Sequence, residues 1–198
     1  MTNFSQAAEN NKSHIGDVLN GAFASCRHVL EIASGTGQHA VYMGSLLPDT
    51  VWQTSDLVEN HPAIKALLEL EAGDNVRMPF ELDVAQDPWP VDQVDGVFAA
   101  NAVHIMSWHH VENLFRGVGQ VLSKNGVLAL YGPYKYGDKF TTESNARFDQ
   151  WLKGRDPESG IRDFEAVNAL ARDIGLQLVA DHAMPANNQL LIWQRIPN

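Results

Sequence analysis

Residues 31–40 read EIASGTGQHA and follow an apolar HVL. Glycines placed after a strand let the backbone pass close to a ligand where a helix begins. The run Gly35-Thr36-Gly37-Gln38-His39-Ala40 fits the G-x-G-x-x-A form of a dinucleotide loop. Asp56, nineteen residues past Gly37, ends the next strand-like run, where a ribose-binding acid would stand. An NAD-dependent oxidoreductase is therefore one reading. Glu31 points to another. A dinucleotide sets its diphosphate on the helix N-terminus, where the dipole favours negative charge, and a carboxylate facing that site would oppose it. S-adenosylmethionine (SAM) has no phosphate and carries a sulfonium and an amino group, so a nearby carboxylate helps.

Other residues could act on an acceptor. His104 follows the fourth strand-like run, and an imidazole with an ordinary pKa of about 6.5 suits a general base. A histidine with a purely structural hydrogen bond is the competing role. His104, His109 and His110 show no i, i+4 pair of the kind a helical metal site needs, so no metal is expected. Tyr134 and Tyr136 either line an acceptor pocket or fill the core. Arg162, like Arg155, either clamps an acidic substrate through two parallel hydrogen bonds or pairs with nearby acids. Asn187, in MPANN, either meets substrate or serves the turn. Lys12, in the polar ENNK run, would meet the methionine carboxylate as a point charge if the leading helix covers the cofactor, and otherwise lies on a solvated face.

These positions need elements to hold them. HVLEIA, TVWQTSD, VRMPFELDV, VDGVFAAN and GVLALYGPY read as five strands. GQHAVYMGSLL, NHPAIKALLELEA and WHHVENLFRGVGQVLSK read as helices between them. In the last, Val111, Leu114, Phe115, Val118, Val121 and Leu122 share one stripe. KNG at 124–126 is expected to be the turn that ends this helix and opens the fifth strand. Apolar strands alternating with amphipathic helices imply a parallel sheet covered on both faces. The two runs flanking MPANN have no helix between them and predict an antiparallel hairpin. Some forty residues separate GPY from that hairpin, with helices expected near 142–153 and 163–174, and residues 4–22 predict a leading helix.

The chain has 198 residues, one cysteine (Cys26) and a formal net charge of −10. Its length suits one domain with a core of its own, and one cysteine allows no internal disulfide. The polar start MTNFSQAAENNKSH lacks the form of a secretory signal, and no apolar run is long enough to span a membrane. A cytoplasmic setting is expected. The acidic balance disfavours a nucleic-acid partner.

VLEIASGTG resembles motif I of class I SAM-dependent methyltransferases. The resemblance continues through Asp56, LDV with Asp83, VDGVFAANAVHIMSW and LSKNGVLALYGPY, over about residues 28–134. FSQAAENNK, EIASGTGQHA, LYGPY, GIRD and MPANN together resemble a small methyltransferase-like family that carries a domain-of-unknown-function label. The resemblance implies an α/β fold with a seven-stranded, mostly parallel sheet, an antiparallel last strand and helices on both faces. It implies SAM as cofactor, S-adenosylhomocysteine as product and a small-molecule methyl acceptor. Glu31 would sit near the methionine end, through hydrogen bonds that order the loop. Gly35 and Gly37 would admit the cofactor, Asp56 would accept both ribose hydroxyls, Asp83 would accept the adenine amino group, Val84 would offer its amide and Asn101 would face the methionine. Ala33 stands where the motif usually has its first glycine, and its methyl is expected to fit there. NPPY-like tetrapeptides and a Pro-Cys nucleophile are absent, which disfavours amino groups of bases and covalent cytosine chemistry. One domain is expected, divided into an N-terminal helical cap (1–27), a cofactor-binding core (28–134), a helical insertion or lid (135–174) and a C-terminal hairpin (175–198). A SAM-binding protein without catalysis remains a further alternative.

Overall fold

The computed structural model describes residues 4–196, so residues 1–3 of the expected cap and 197–198 of the expected hairpin lie outside the described residues. In chain order the elements are α1 (Gln6–Ala22), β1 (His28–Ile32), α2 (Gln38–Leu46), β2 (Val51–Asp56), α3 (His61–Glu71), β3 (Val76–Glu81), β4 (Val94–Ala100), α4 (Trp108–Val121), β5 (Leu122–Gly132), β6 (Tyr134–Tyr136), β7 (Lys139–Phe140), α5 (Glu143–Arg155), β8 (Arg162–Asp163), α6 (Phe164–Asp173), β9 (Leu176–Met184) and β10 (Asn188–Arg195). The main sheet has seven strands in the order β3-β2-β1-β4-β5-β10-β9. Pairing is parallel from β3 to β5, and β10 runs antiparallel to both β5 and β9.

Strand periodicity decides the two faces. On β4, β5 and β10, Val97, Ala99, Leu128, Leu130, Leu191 and Trp193 go to one core, with Val111, Leu114, Phe115 and Val118 of α4. The alternating Phe98, Ala129, Tyr131, Leu190 and Ile192 go to the other, against Ile15 and Leu19 of α1 and Met43 of α2. A period of two on the strands and of 3.6 on the helices is what brings the stripes together. Side-chain caps set three helix starts: Ser5, Ser107 and Thr142 accept from Ala8, His110 and Asn145 N–H groups.

Two details differ from expectation. The KNG stretch is a bulge rather than a turn before the strand. The strand already begins at Leu122, its register to β4 shifts between Leu122 and Val127, and Asn125 takes a φ of +63° to absorb the extra residues. The segment after β5 also holds a small sheet, β7-β6-β8, besides its two helices. These strands have two or three residues each, too few to show a period.

Candidate functional site

The first four strands of the sheet end along one edge, and the loops that leave them build the site. After β1 the chain runs Ala33 (φ +56°), Gly35 (φ +61°) and Gly37 (φ +80°) before α2 begins. Left-handed backbone suits glycine and costs a residue with a Cβ about 1–2 kcal/mol. Ala33 therefore fits less freely than expected: the strain lies in its backbone. Gly37 serves packing, since a Cβ there would lie 2.9 Å from Leu68 Cδ1 on α3. Gly35 lines the cleft.

Glu31 is buried behind this loop. Its Oε2 accepts from Trp52 Nε1 at 3.0 Å and Ser34 Oγ at 3.1 Å. Ser34 Oγ accepts from Ser55 N at 3.2 Å, and Ser55 Oγ donates to Glu31 O at 2.7 Å. The carboxyl thus pins the end of β1 to the end of β2 and is not part of the cleft wall. Burial raises its pKa to about 7, against the lowering effect of the two donors.

The cleft has a volume of about 490 Å³, within the range of small-molecule sites. Ala33, Gly35, Asp56, Asp83, Val84 and Asn101 all line it. They come from the end of β2 and from the loops after β1, β3 and β4, spread over nearly seventy positions. Asp56 Oδ2 accepts from Gly35 N at 2.7 Å, and its Oδ1 accepts from Leu57 N and Asn60 Nδ2, both at 2.8 Å. A carboxylate has about four lone-pair sites. In this conformation one remains, on Oδ2, so the carboxylate can take one further donor rather than the two hydroxyls expected. Asn60 also lines the cleft and has a second acceptor oxygen nearby. Asp83 Oδ1 accepts from Ala85 N at 2.9 Å. Asn101 holds a φ of +55°, a conformation asparagine tolerates, while its N–H donates to Tyr131 O at 2.8 Å. His110, weighed in the sequence only as a metal ligand, lines the cleft too, as do Leu57, Ala102, Ile105 and Met106, which were not singled out there. Leu57 could have been, because it directly follows the strand-end acid.

Five expected residues lie elsewhere. Lys12 pairs with Glu9 at 2.7 Å and lines a different cavity, of about 470 Å³, beside Gln38 and Tyr42. Tyr134 is fully buried, and burial pushes its phenol well above the ordinary range. His104 is buried edge-on against Phe148, with ring centroids 5.5 Å apart. Burial, with Arg162 nearby, lowers its pKa to about 4, which leaves it neutral and weakly basic. Arg162 spends its guanidinium on backbone carbonyls of the turn after β4. Asn187 sits at the β9–β10 connection with a φ of +59°, and its carbonyl accepts from Asn145 Nδ2 at 2.9 Å. Among the described residues no three His, Cys, Asp or Glu side chains gather as a metal site.

The leading helix is fastened to the start of α2, just past the glycine loop. Gln38 Oε1 accepts from Ser5 N at 2.7 Å, and its Nε2 donates to Glu9 at 3.0 Å. Asn11, buried, meets His39 Nε2 at 2.7 Å. Among the described residues no helix is long and apolar enough to cross a membrane.

Solved structures share this arrangement. An O-methyltransferase family protein from Burkholderia thailandensis superposes with a TM-score of 0.83 at 19% identity, over 97% of this chain and 58% of that one. Human N-acetylserotonin methyltransferase, in complex with SAM, gives 0.82 at 13% identity, over 97% and 53%. An O-methyltransferase family 2 protein from Planctomyces limnophilus, in complex with apigenin, gives 0.77 at 16% identity, over 94% and 64%. The chain thus spans between 53% and 64% of the length of these structures. Sheet order, strand-end cleft and superpositions together define the class I SAM-dependent methyltransferase fold. Within that fold, the chain belongs to the family described as "Protein of unknown function (DUF938)", whose profile matches residues 2–195.

Proposed function

We propose that the cleft binds SAM and that the chain transfers its methyl group to a small-molecule acceptor, at oxygen or nitrogen, in the cytoplasm. The observation that carries this reading is the meeting of Gly35, Asp56, Asp83 and Asn101 in one cleft at the ends of four adjacent strands. Methyltransferases among the similar structures support it, one of them in complex with SAM.

The residues present fit the cofactor. Asp56 keeps one acceptor site free for a ribose hydroxyl, with Asn60 beside it. Asp83 Oδ2 suits an amino-group donor such as adenine, and Val84 and Leu57 supply apolar wall. Asn101 has donor and acceptor groups for the polar methionine end. SAM supplies an activated methyl on a sulfonium, a neutral leaving group once the methyl departs. The protein then has mainly to align the acceptor with that methyl and exclude water. A base is needed only if the acceptor must lose a proton in the step. His104, buried and neutral, is poorly placed for that duty, whereas His110 lines the cleft itself.

Calorimetry with SAM, S-adenosylhomocysteine and NAD tests the binding. A screen of metabolite extracts with methyl-labelled SAM tests the transfer. Tight NAD binding with none for SAM would restore the oxidoreductase. SAM binding with no label transferred to any extract would favour a non-catalytic SAM-binding protein.

A further inference from the structure

The turn after β4 presents four consecutive backbone carbonyls, and each is taken by a donor from residues 158–162. Arg162 Nε donates to Val103 O at 3.3 Å, Gly160 N to His104 O at 2.9 Å and Ser159 Oγ to Ile105 O at 2.7 Å. Arg162 Nη2 donates to Met106 O and, at 2.8 Å, to Glu158 O. The Ile105 and Met106 amides turn back to Ala102 O, at 2.9 and 3.1 Å. A stretch outside any helix or strand thus has its carbonyls satisfied by residues 54 to 59 positions later. The donor segment is itself fixed from α5, where the buried Asp149 carboxylate accepts from Ile161 N at 2.7 Å and from Lys153 Nζ at 2.7 Å.

The turn matters because Ala102, Ile105 and Met106 form one wall of the cleft. Ile105 is 49% exposed and cannot hold that wall by burial alone. Backbone carbonyls left without partners would instead seek water and let the turn rearrange. Arg162 is suited to the task chemically. Its planar fork satisfies carbonyls three residues apart at once, which the single ammonium of a lysine does poorly.

We infer that residues 158–162 are a brace that sets the shape of the cofactor cleft, with Arg162 as its positioning residue. The inference rests on the cleft being the SAM site. It gives the insertion after β5 a role in cofactor binding, in place of the clamp on an acidic substrate expected for Arg162 or a cover that only opens and closes.

The test compares the wild type with Arg162→Ala, Arg162→Lys and Ser159→Ala. Amide hydrogen exchange of the ligand-free proteins reads the turn, and calorimetry with S-adenosylhomocysteine reads the cleft. In Arg162→Ala, exchange at Ile105 and Met106 should rise at least about tenfold, and affinity should fall about tenfold or more. Arg162→Lys should lie between, and Ser159→Ala should shift both readouts less, in the same direction. Unchanged exchange across β2 certifies the fold. Gly44→Ala, whose Cβ would meet Val76 at the start of β3, the end of that strand opposite the cleft, supplies a destabilised control whose affinity should hold. Unchanged exchange at residues 103–106 in Arg162→Ala overturns the brace. Faster exchange with wild-type affinity, or an equal affinity loss in Gly44→Ala, overturns its role in the cleft. If the wild type binds neither SAM nor S-adenosylhomocysteine, the cofactor assignment falls separately, and the exchange comparison alone decides the brace.

Discussion

The carboxylate of Asp56 accepts the backbone N–H of Gly35 at 2.7 Å, so the acid that ends β2 also holds the glycine loop that follows β1. Removing it should act twice. Asp56→Ala is expected to lower SAM affinity about ten- to a hundredfold, the loss of about 1.5–3 kcal/mol for a charged acceptor. It should also speed amide exchange at Gly35. Circular dichroism checks the fold, and wild-type affinity in a folded variant would remove Asp56 from the site.

Ala33 occupies left-handed backbone, with a φ of +56°. Ala33→Gly should therefore stabilise the protein by about 0.5–1 kcal/mol, the relief of strain less the extra freedom glycine has when unfolded. Urea denaturation would show it as a higher midpoint at constant slope. A lower midpoint would mean that the alanine methyl contributes more by packing than its backbone costs.

Glu31 is raised to about 7 by burial, above its unfolded value of about 4.5. The folded state then holds the proton over that window, so its contribution to stability falls as pH rises from about 4.5 to 7 and is level above. The full effect is on the order of 3 kcal/mol. Glu31→Gln keeps an acceptor for Trp52 and Ser34 without the charge. Relative to wild type it should gain stability between pH 5 and pH 8 in denaturation curves. A difference that does not change with pH would show that Glu31 is ionised throughout.

His39 and His104 are each lowered to about 4, mainly by burial. The unfolded chain binds their protons from about pH 6.5 downward while the folded one does not. Stability should consequently decline as pH falls from about 6.5 to 4, partly offset by Glu31. His104→Phe, which keeps an aromatic ring against Phe148, should flatten the decline by about one proton. A slope identical to wild type would mean that His104 titrates normally in the fold.

Much of the cleft was legible because strand-end chemistry is local. Gly35, Asp56, Asp83 and Asn101 each follow or end an apolar run, so the parallel sheet that those runs imply brings them to one edge, whereas Glu31, inside its run, is buried behind the loop. Directions were less legible. Lys12 follows the buried Asn11 by one residue, and about 100° of helical rotation turns it away, toward Glu9 and Tyr42. His104 and Tyr134 also follow strands, but burial rather than position decides what they do. The wall at Ile105 and Met106 could not be read at all. Its conformation is set by Ser159, Gly160 and Arg162, through contacts between distant segments that no local pattern announces.

The slot between β5 and β9 is filled by β10, the last strand of the sheet to be synthesised. On a ribosome, β5 must wait with one edge open until residues 188–195 have left the exit tunnel. During that interval the alternate backbone groups of Val127–Gly132 that face away from β4 are bare and flanked by apolar side chains, the setting in which a strand from another copy can add on. Ribosome-stalled chains ending before Asn188 should accordingly need a chaperone to stay soluble, and chains extended by an added linker that carries Arg195 clear of the tunnel should not.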